Sequence, residues 1–175
     1  MNLAELQVGL LALLKSRELE ARSHHPYFQQ VRASERLSVL QEISGWWRSF
    51  AIERACPLTS ALLKKRGVFD DVAGQFAGRS DATPFPQRQA AVFLTEMGSH
   101  GDPLIAAVAR CEGALLAVKA GHAADPVVID WQHAPYAVLE SLLLGTPLDE
   151  AGIRGAYRMV VSRDVPELFS VTPLP

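Results

Sequence analysis

The sequence predicts an α+β fold: a helical N-terminal body over residues 1–122 and a small C-terminal α/β recognition element over residues 123–175. Three observations carry this. Apolar residues recur at helical spacing through the first two thirds of the chain. The pattern becomes β-branched and short after Asp125-Pro126. The stretch from Tyr157 to Thr172 then reads as a polar-edged strand pair.

Taken in order, Asn2 and Glu5 have the spacing of a capping box, and Leu3, Leu6, Leu10, Leu13 and Leu14 follow as one helical face. The Ser23 to Gln30 stretch reads as a connection, because Pro26 disfavours helix for the residue before it. A second helix is expected to start near Ser34, with Leu37, Leu40, Ile43, Trp47 and Phe50 on its core face and Trp46 widening it. Pro57 opens a further helix over Leu58 to Lys65, stopped by Gly67, and a short helix follows through Val72 and Phe76. Ala77 to Pro86 reads as a loop, and Gln87 to Met97 as helix.

Asp102-Pro103 gives an N-cap with proline at the first helical position. Leu104, Val108, Cys111, Leu115 and Val118 form the stripe of that helix, which ends before Gly121. Val127 to Trp131 reads as a strand, Tyr136 to Leu144 as helix or strand, and the chain beyond Tyr157 as β.

A hydrophobic content of 49% is enough for a real core, and a formal charge of −2 gives no general attraction to phosphate backbones. Lys64-Lys65-Arg66 is only a local basic cluster. Cys56 and Cys111 lie in neither a disulfide framework nor a CxxC pattern, and both are expected as buried thiols inside helices of a cytoplasmic protein. No export signal is expected, and the longest apolar run, Val8 to Leu14, is too short to cross a membrane.

Catalytic chemistry has little to stand on. His24 and His25 are adjacent, with no carboxylate or cysteine at zinc-like spacing, and His100, His122 and His133 are scattered singly. Cys56 would be a nucleophile only with a histidine near it in space. Trp46, Trp47 and Trp131 are the large aromatics that can serve either as packing or as partner-interface anchors. At the C-terminal element, Val127, Ile129 and Trp131 form one possible peptide-pairing edge, and Tyr157, Arg158, Met159 and Val161 another. Arg158 and Arg163 would favour acidic peptide residues.

The run Cys56-Pro-Leu-Thr-Ser-Ala-Leu-Leu-Lys-Lys-Arg-Gly-Val-Phe-Asp-Asp-Val-Ala-Gly-Gln-Phe76, a proline-bearing loop and the Phe93-Leu94 helix together resemble the helical domain of bacterial HvfC-type proteins, once described as DNA-binding. That family carries an aromatic-Pro-x-x-x-x-Leu-Leu-Gly pattern. Here Cys56 replaces the aromatic, and three basic residues precede the glycine. The likeness covers roughly residues 40–118. Asp130-Trp131, Tyr136-Ala-Val-Leu139 and Val161-Ser-Arg-Asp-Val-Pro-Glu-Leu-Phe169 look similar to the partner subunits of the methanobactin and thiaglutamate pathways.

The resemblance implies a precursor-peptide-binding partner of a TIM-barrel, multinuclear iron oxygenase that modifies a cysteine of a ribosomally made peptide. The iron ligands then belong to the barrel subunit, and this chain carries no cofactor. Two other readings stand beside it: a nucleic-acid-binding transcriptional regulator, which the net charge disfavours, and a thiol enzyme using Cys56 or Cys111.

Overall fold

A computed structural model describes residues 2–14, 25–79, 86–122 and 125–175 of the chain. It is mostly helical, with a three-stranded antiparallel sheet near the C-terminus, and so has the α+β fold the sequence predicts. The chain divides into two compact units, Met1–Ala51 with Asp70–Ala82, and Ile52–Phe69 with Thr83–Pro175.

In the first unit, helix α1 (Leu3–Leu14) begins as the capping box predicts. Glu5 N donates to Asn2 Oδ1 at 2.8 Å and Asn2 N to Glu5 Oε2 at 2.9 Å, so two orphan amides of the first turn are satisfied reciprocally. Helix α2 (Pro26–Arg32) lies where a connection was expected. Pro26 opens the helix at a position that needs no N–H, and His25 caps it by accepting from Tyr27 N at 3.2 Å. Ser23 and His24 lie outside the described residues.

The core here is small: Leu13, Phe28 and Leu37, with Leu6, Leu10, Leu14 and Val31 packed against it. Gly9 lets α1 approach the Phe28 ring, for a Cβ at that position would sit 2.3 Å from it. Helix α3 (Glu35–Ala55) is one unbroken helix of 21 residues. Its expected core face is corrected, since Leu37 is buried but Leu40, Ile43, Trp46 and Trp47 are exposed. Helix α5 (Phe69–Arg79) includes Ala77 to Arg79, the first residues of the expected loop, of which 80–85 lie outside the described residues.

In the second unit, helix α4 (Pro57–Lys65) ends at Gly67, whose φ of 70° lets Val68 N reach Leu63 O at 3.0 Å and Gly67 N reach Lys64 O at 2.9 Å. Both bonds satisfy carbonyls of the last turn, and a side chain at Gly67 would strain that left-handed backbone. Helix α6 (Pro86–Met97) precedes helix α7 (Pro103–Lys119), where Asp102 Oδ1 accepts from Leu104 N at 2.8 Å as the N-cap. Helix α7 is buried along most of its length and packs on α4, on α6 and on the sheet, making it the centre of this unit.

The sheet follows from strand β1 (Val127–His133), helix α8 (Pro135–Leu144), strand β2 (Arg154–Val161) and strand β3 (Phe169–Pro173). The stretch from Tyr136 to Leu144, open between helix and strand in the sequence, is helix; Gly145 ends it at φ 69°. Strand order is β1-β2-β3, antiparallel throughout. The register slips between Trp131 and His133, where Gly155 and Ala156 stand opposite Gln132.

Candidate functional site

The sheet has one dry and one wet face. Ile129 and Trp131 of β1 and Met159 and Val161 of β2 are buried, pointing to the side where α7 packs. Val128, Asp130, Arg158, Ser170 and Thr172 are exposed on the other side. Across that wet face Arg158 Nε donates to Asp130 Oδ1 at 2.9 Å, a pair of directly opposed residues.

This separates the sequence-predicted peptide residues into groups. Ile129, Trp131, Met159 and Val161 support the sheet from beneath. Val127 and Tyr157 are half-buried, and Arg158 is exposed but already paired within the chain. Arg163 is exposed and lies beyond the end of β2, in the connection to β3, so it shares no strand face with Arg158. Trp131 is 2% exposed with its Nε1 unpartnered, so its side chain belongs to the core and offers a partner no surface. Trp46 and Trp47, at 58% and 56%, are surface aromatics.

The two expected edges are not equivalent. Strand β2 is hydrogen-bonded on both sides, which takes Tyr157 to Val161 out of use for strand addition: no free row of amides remains there. For the outer strands, alternation in an antiparallel ladder tells which backbone groups face outward. Ser162 N donates to Leu168 O and Leu174 N to Ala156 O, so the even-numbered residues of β2 serve β3 and the odd-numbered ones serve β1. Val127, Ile129 and Trp131 therefore bond inward, and Val128 and Asp130 turn their backbone N–H and C=O to the open side of β1. On β3 the outward positions are Phe169, Val171 and Pro173, and the proline has no donor to offer. Sequence reasoning missed this asymmetry because it depends on strand order, which no local pattern encodes.

A second polar arrangement lies under the helices. Glu112 of α7, 4% exposed, accepts from Leu58 N at 2.8 Å through Oε1 and from Thr59 N at 2.9 Å through Oε2. It stands in for an N-cap of α4, because Cys56 at the cap position provides no side-chain hydrogen bond. Burial raises the Glu112 carboxyl above its ordinary range, opposed by the hydrogen bonds from Thr59 and Leu58. Cys56 and Cys111 are fully buried nearby, and burial first, the Glu112 charge second, pushes both thiols up to about 12. They are protonated, unreactive sulfurs. Cys56 is at the junction of α3 and α4, not inside a helix as the sequence suggested.

The basic cluster is engaged within the chain. Lys64 Nζ lies 2.5 Å from Glu53 Oε1, Lys65 Nζ donates to Thr146 O, and Arg66 meets Asp102 at 3.2 Å and Glu150 at 2.7 Å. Between α8 and the loop after it runs an open groove of about 350 Å³ lined by Ala137, Glu140, Leu144, Leu148, Asp149 and Ile153 among others. Among the described residues no three His, Cys, Asp or Glu side chains converge as a metal-binding set, and no helix is long and apolar enough to cross a membrane. Compared with protein-family models, curated proteins and solved structures, the chain finds no match.

Proposed function

We propose that this chain is the peptide-binding partner subunit of a TIM-barrel, multinuclear iron oxygenase in the cytoplasm, and that it takes the leader of a ribosomally made precursor as an added strand on β1. The observation that carries the reading is the edge asymmetry of the sheet: β2 is closed, β3 is blunted by Pro173, and β1 keeps Val128 and Asp130 facing outward. Main-chain pairing supplies affinity with little demand on side chains, and alternate peptide side chains would fall on the Asp130–Arg158 face or on the α7 side of the sheet. The resemblance places the iron ligands in the other subunit, and no step is derived through the metal here. The internal pairing of Lys64, Lys65 and Arg66 weighs against a nucleic-acid reading, which would need those charges for phosphates.

Paired proline substitutions test this. Val128→Pro removes an outward N–H of β1 and Val171→Pro the corresponding outward N–H of β3, neither touching a ladder bond. The ligand is a synthetic, labelled peptide with an acidic leader and a cysteine-containing core, followed by fluorescence polarisation, with circular dichroism as the folding check. Val128→Pro should weaken binding about tenfold or more, roughly 1.4 kcal/mol, and Val171→Pro should leave it unchanged. Equal effects of the two, or none from Val128→Pro, reject the β1 site.

A further inference from the structure

Helix α3 buries Leu37 and Ile52 but carries a second apolar side that it leaves exposed. The side it packs against its own unit carries Gln41, whose Nε2 donates to Leu13 O at 2.7 Å, and Arg48, whose Nη1 donates to Ala77 O at 2.9 Å. The side it shows to solvent carries Val39, Leu40, Ile43, Trp46 and Trp47, about half exposed each, with Phe50 beside them. Trp46 stacks on Phe50 at 5.3 Å with planes 7° apart, and Trp47 meets both rings edge-on, so the aromatics are held as one rigid surface. A helix with a second, exposed apolar side is stabilised by whatever covers that side.

We propose that a second copy of this chain covers it, α3 lying antiparallel on its two-fold mate. Three features of the helix select that occupant. Val39, Ile43, Trp46 and Phe50 follow the 4-3-4 spacing of a helix–helix seam, and Leu40 and Trp47 widen it. In an antiparallel pair such seams match one class of position with the other, so Ile43 faces Trp46 of the mate and Val39 faces Phe50. That same register sets Arg36 opposite Glu53 at both ends of the seam, where Glu53 would be shared with its own Lys64. A parallel pair would instead bring Arg36 against Arg36 and Glu53 against Glu53. The area also suffices: the exposed parts of these side chains come to roughly 500 Å² per copy, so about 1,000 Å² in total, the level at which specific interfaces begin. This goes beyond the peptide reading and does not depend on it, for the β1 edge is on the sheet and not on α3.

Sedimentation velocity of the full chain at roughly 1 to 100 μM tests it. The chain should sediment as a dimer at the upper concentrations, and Trp46→Glu should shift it to monomer with its helical circular dichroism kept. Arg36→Glu alone should raise the dimer dissociation constant about tenfold, and Arg36→Glu with Glu53→Arg should restore most of it, a rescue that requires the antiparallel mate. A monomer throughout, a dimer indifferent to Trp46→Glu, or a double variant as weak as Arg36→Glu overturns the proposal. So does a monomeric chain whose Trp46→Glu variant loses capture by the barrel subunit. Leader binding to the Trp46→Glu monomer is measured in parallel: unchanged affinity separates the fate of this inference from that of the peptide site.

Discussion

Glu112 on α7 closes the first turn of α4, its Oε2 accepting from Thr59 N at 2.9 Å across 53 residues of chain. The bond fastens two helices by satisfying amides that a local cap would otherwise have served, so side-chain loss here leaves buried donors without partners. Glu112→Ala should cost about 3 kcal/mol in urea unfolding, and Glu112→Gln, which keeps one acceptor, roughly half of that. Equal, small effects would mean that water reaches the amides.

The same carboxylate gives stability a pH slope. Burial raises its folded-state value above 4.5, so the native chain holds that proton more tightly than the unfolded chain does. The resulting stabilisation is full below 4.5 and is lost as pH rises through the raised folded value. Thermal melts across that window should show the decline in the native protein, and Glu112→Gln should flatten it.

Cys56 and Cys111, with thiols pushed up to about 12 and no exposed surface, should resist iodoacetamide at neutral pH until the chain is unfolded. Intact-mass spectra taken with and without denaturant check this. Rapid single labelling of the native chain would revive the thiol-enzyme reading.

Gly9→Ala should destabilise the first unit by about 1–3 kcal/mol, since the added methyl meets the Phe28 ring, which is 3% exposed and enclosed by the core. Phe28→Leu, by removing the ring, should soften that penalty in the double variant. Additive losses would show that the ring already yields.

The Asp130–Arg158 pair is exposed at 66% and 50%, so breaking it with Asp130→Asn should change stability by less than about 1 kcal/mol, in a way that fades with salt. A larger loss in a denaturant series would show that the pair organises the wet face of the sheet.

Much of the fold was legible because its signals are local. Asn2 with Glu5, and Asp102 with Pro103, placed helix starts that their own hydrogen bonds confirm, and Gly67 and Gly121 marked ends where the backbone turns left-handed. Pro26 misled because one residue type both disfavours helix before it and suits a helix's first position; the His25 cap decided between them. The stripe on α3 is plain in the sequence, but periodicity cannot tell which neighbour an apolar face meets, so it reads as core while most of it is exposed. Glu112 gave no signal at all, because its partners at Leu58 and Thr59 are distant in sequence and are backbone groups. At the sheet, strands were legible and their order was not, which is why the closed β2 was offered beside the open β1.

That order also governs how many strands the sheet can gather. A ladder that grows without limit needs a receptive row at both ends, each newcomer presenting what the last one accepted. Here the row on β1 keeps the donors of Val128 and Asp130 while Pro173 removes one from the row on β3, so the two ends of the sheet are unequal templates. A chain whose two sheet ends differ in this way is a poor building block for an open-ended ladder of its own copies.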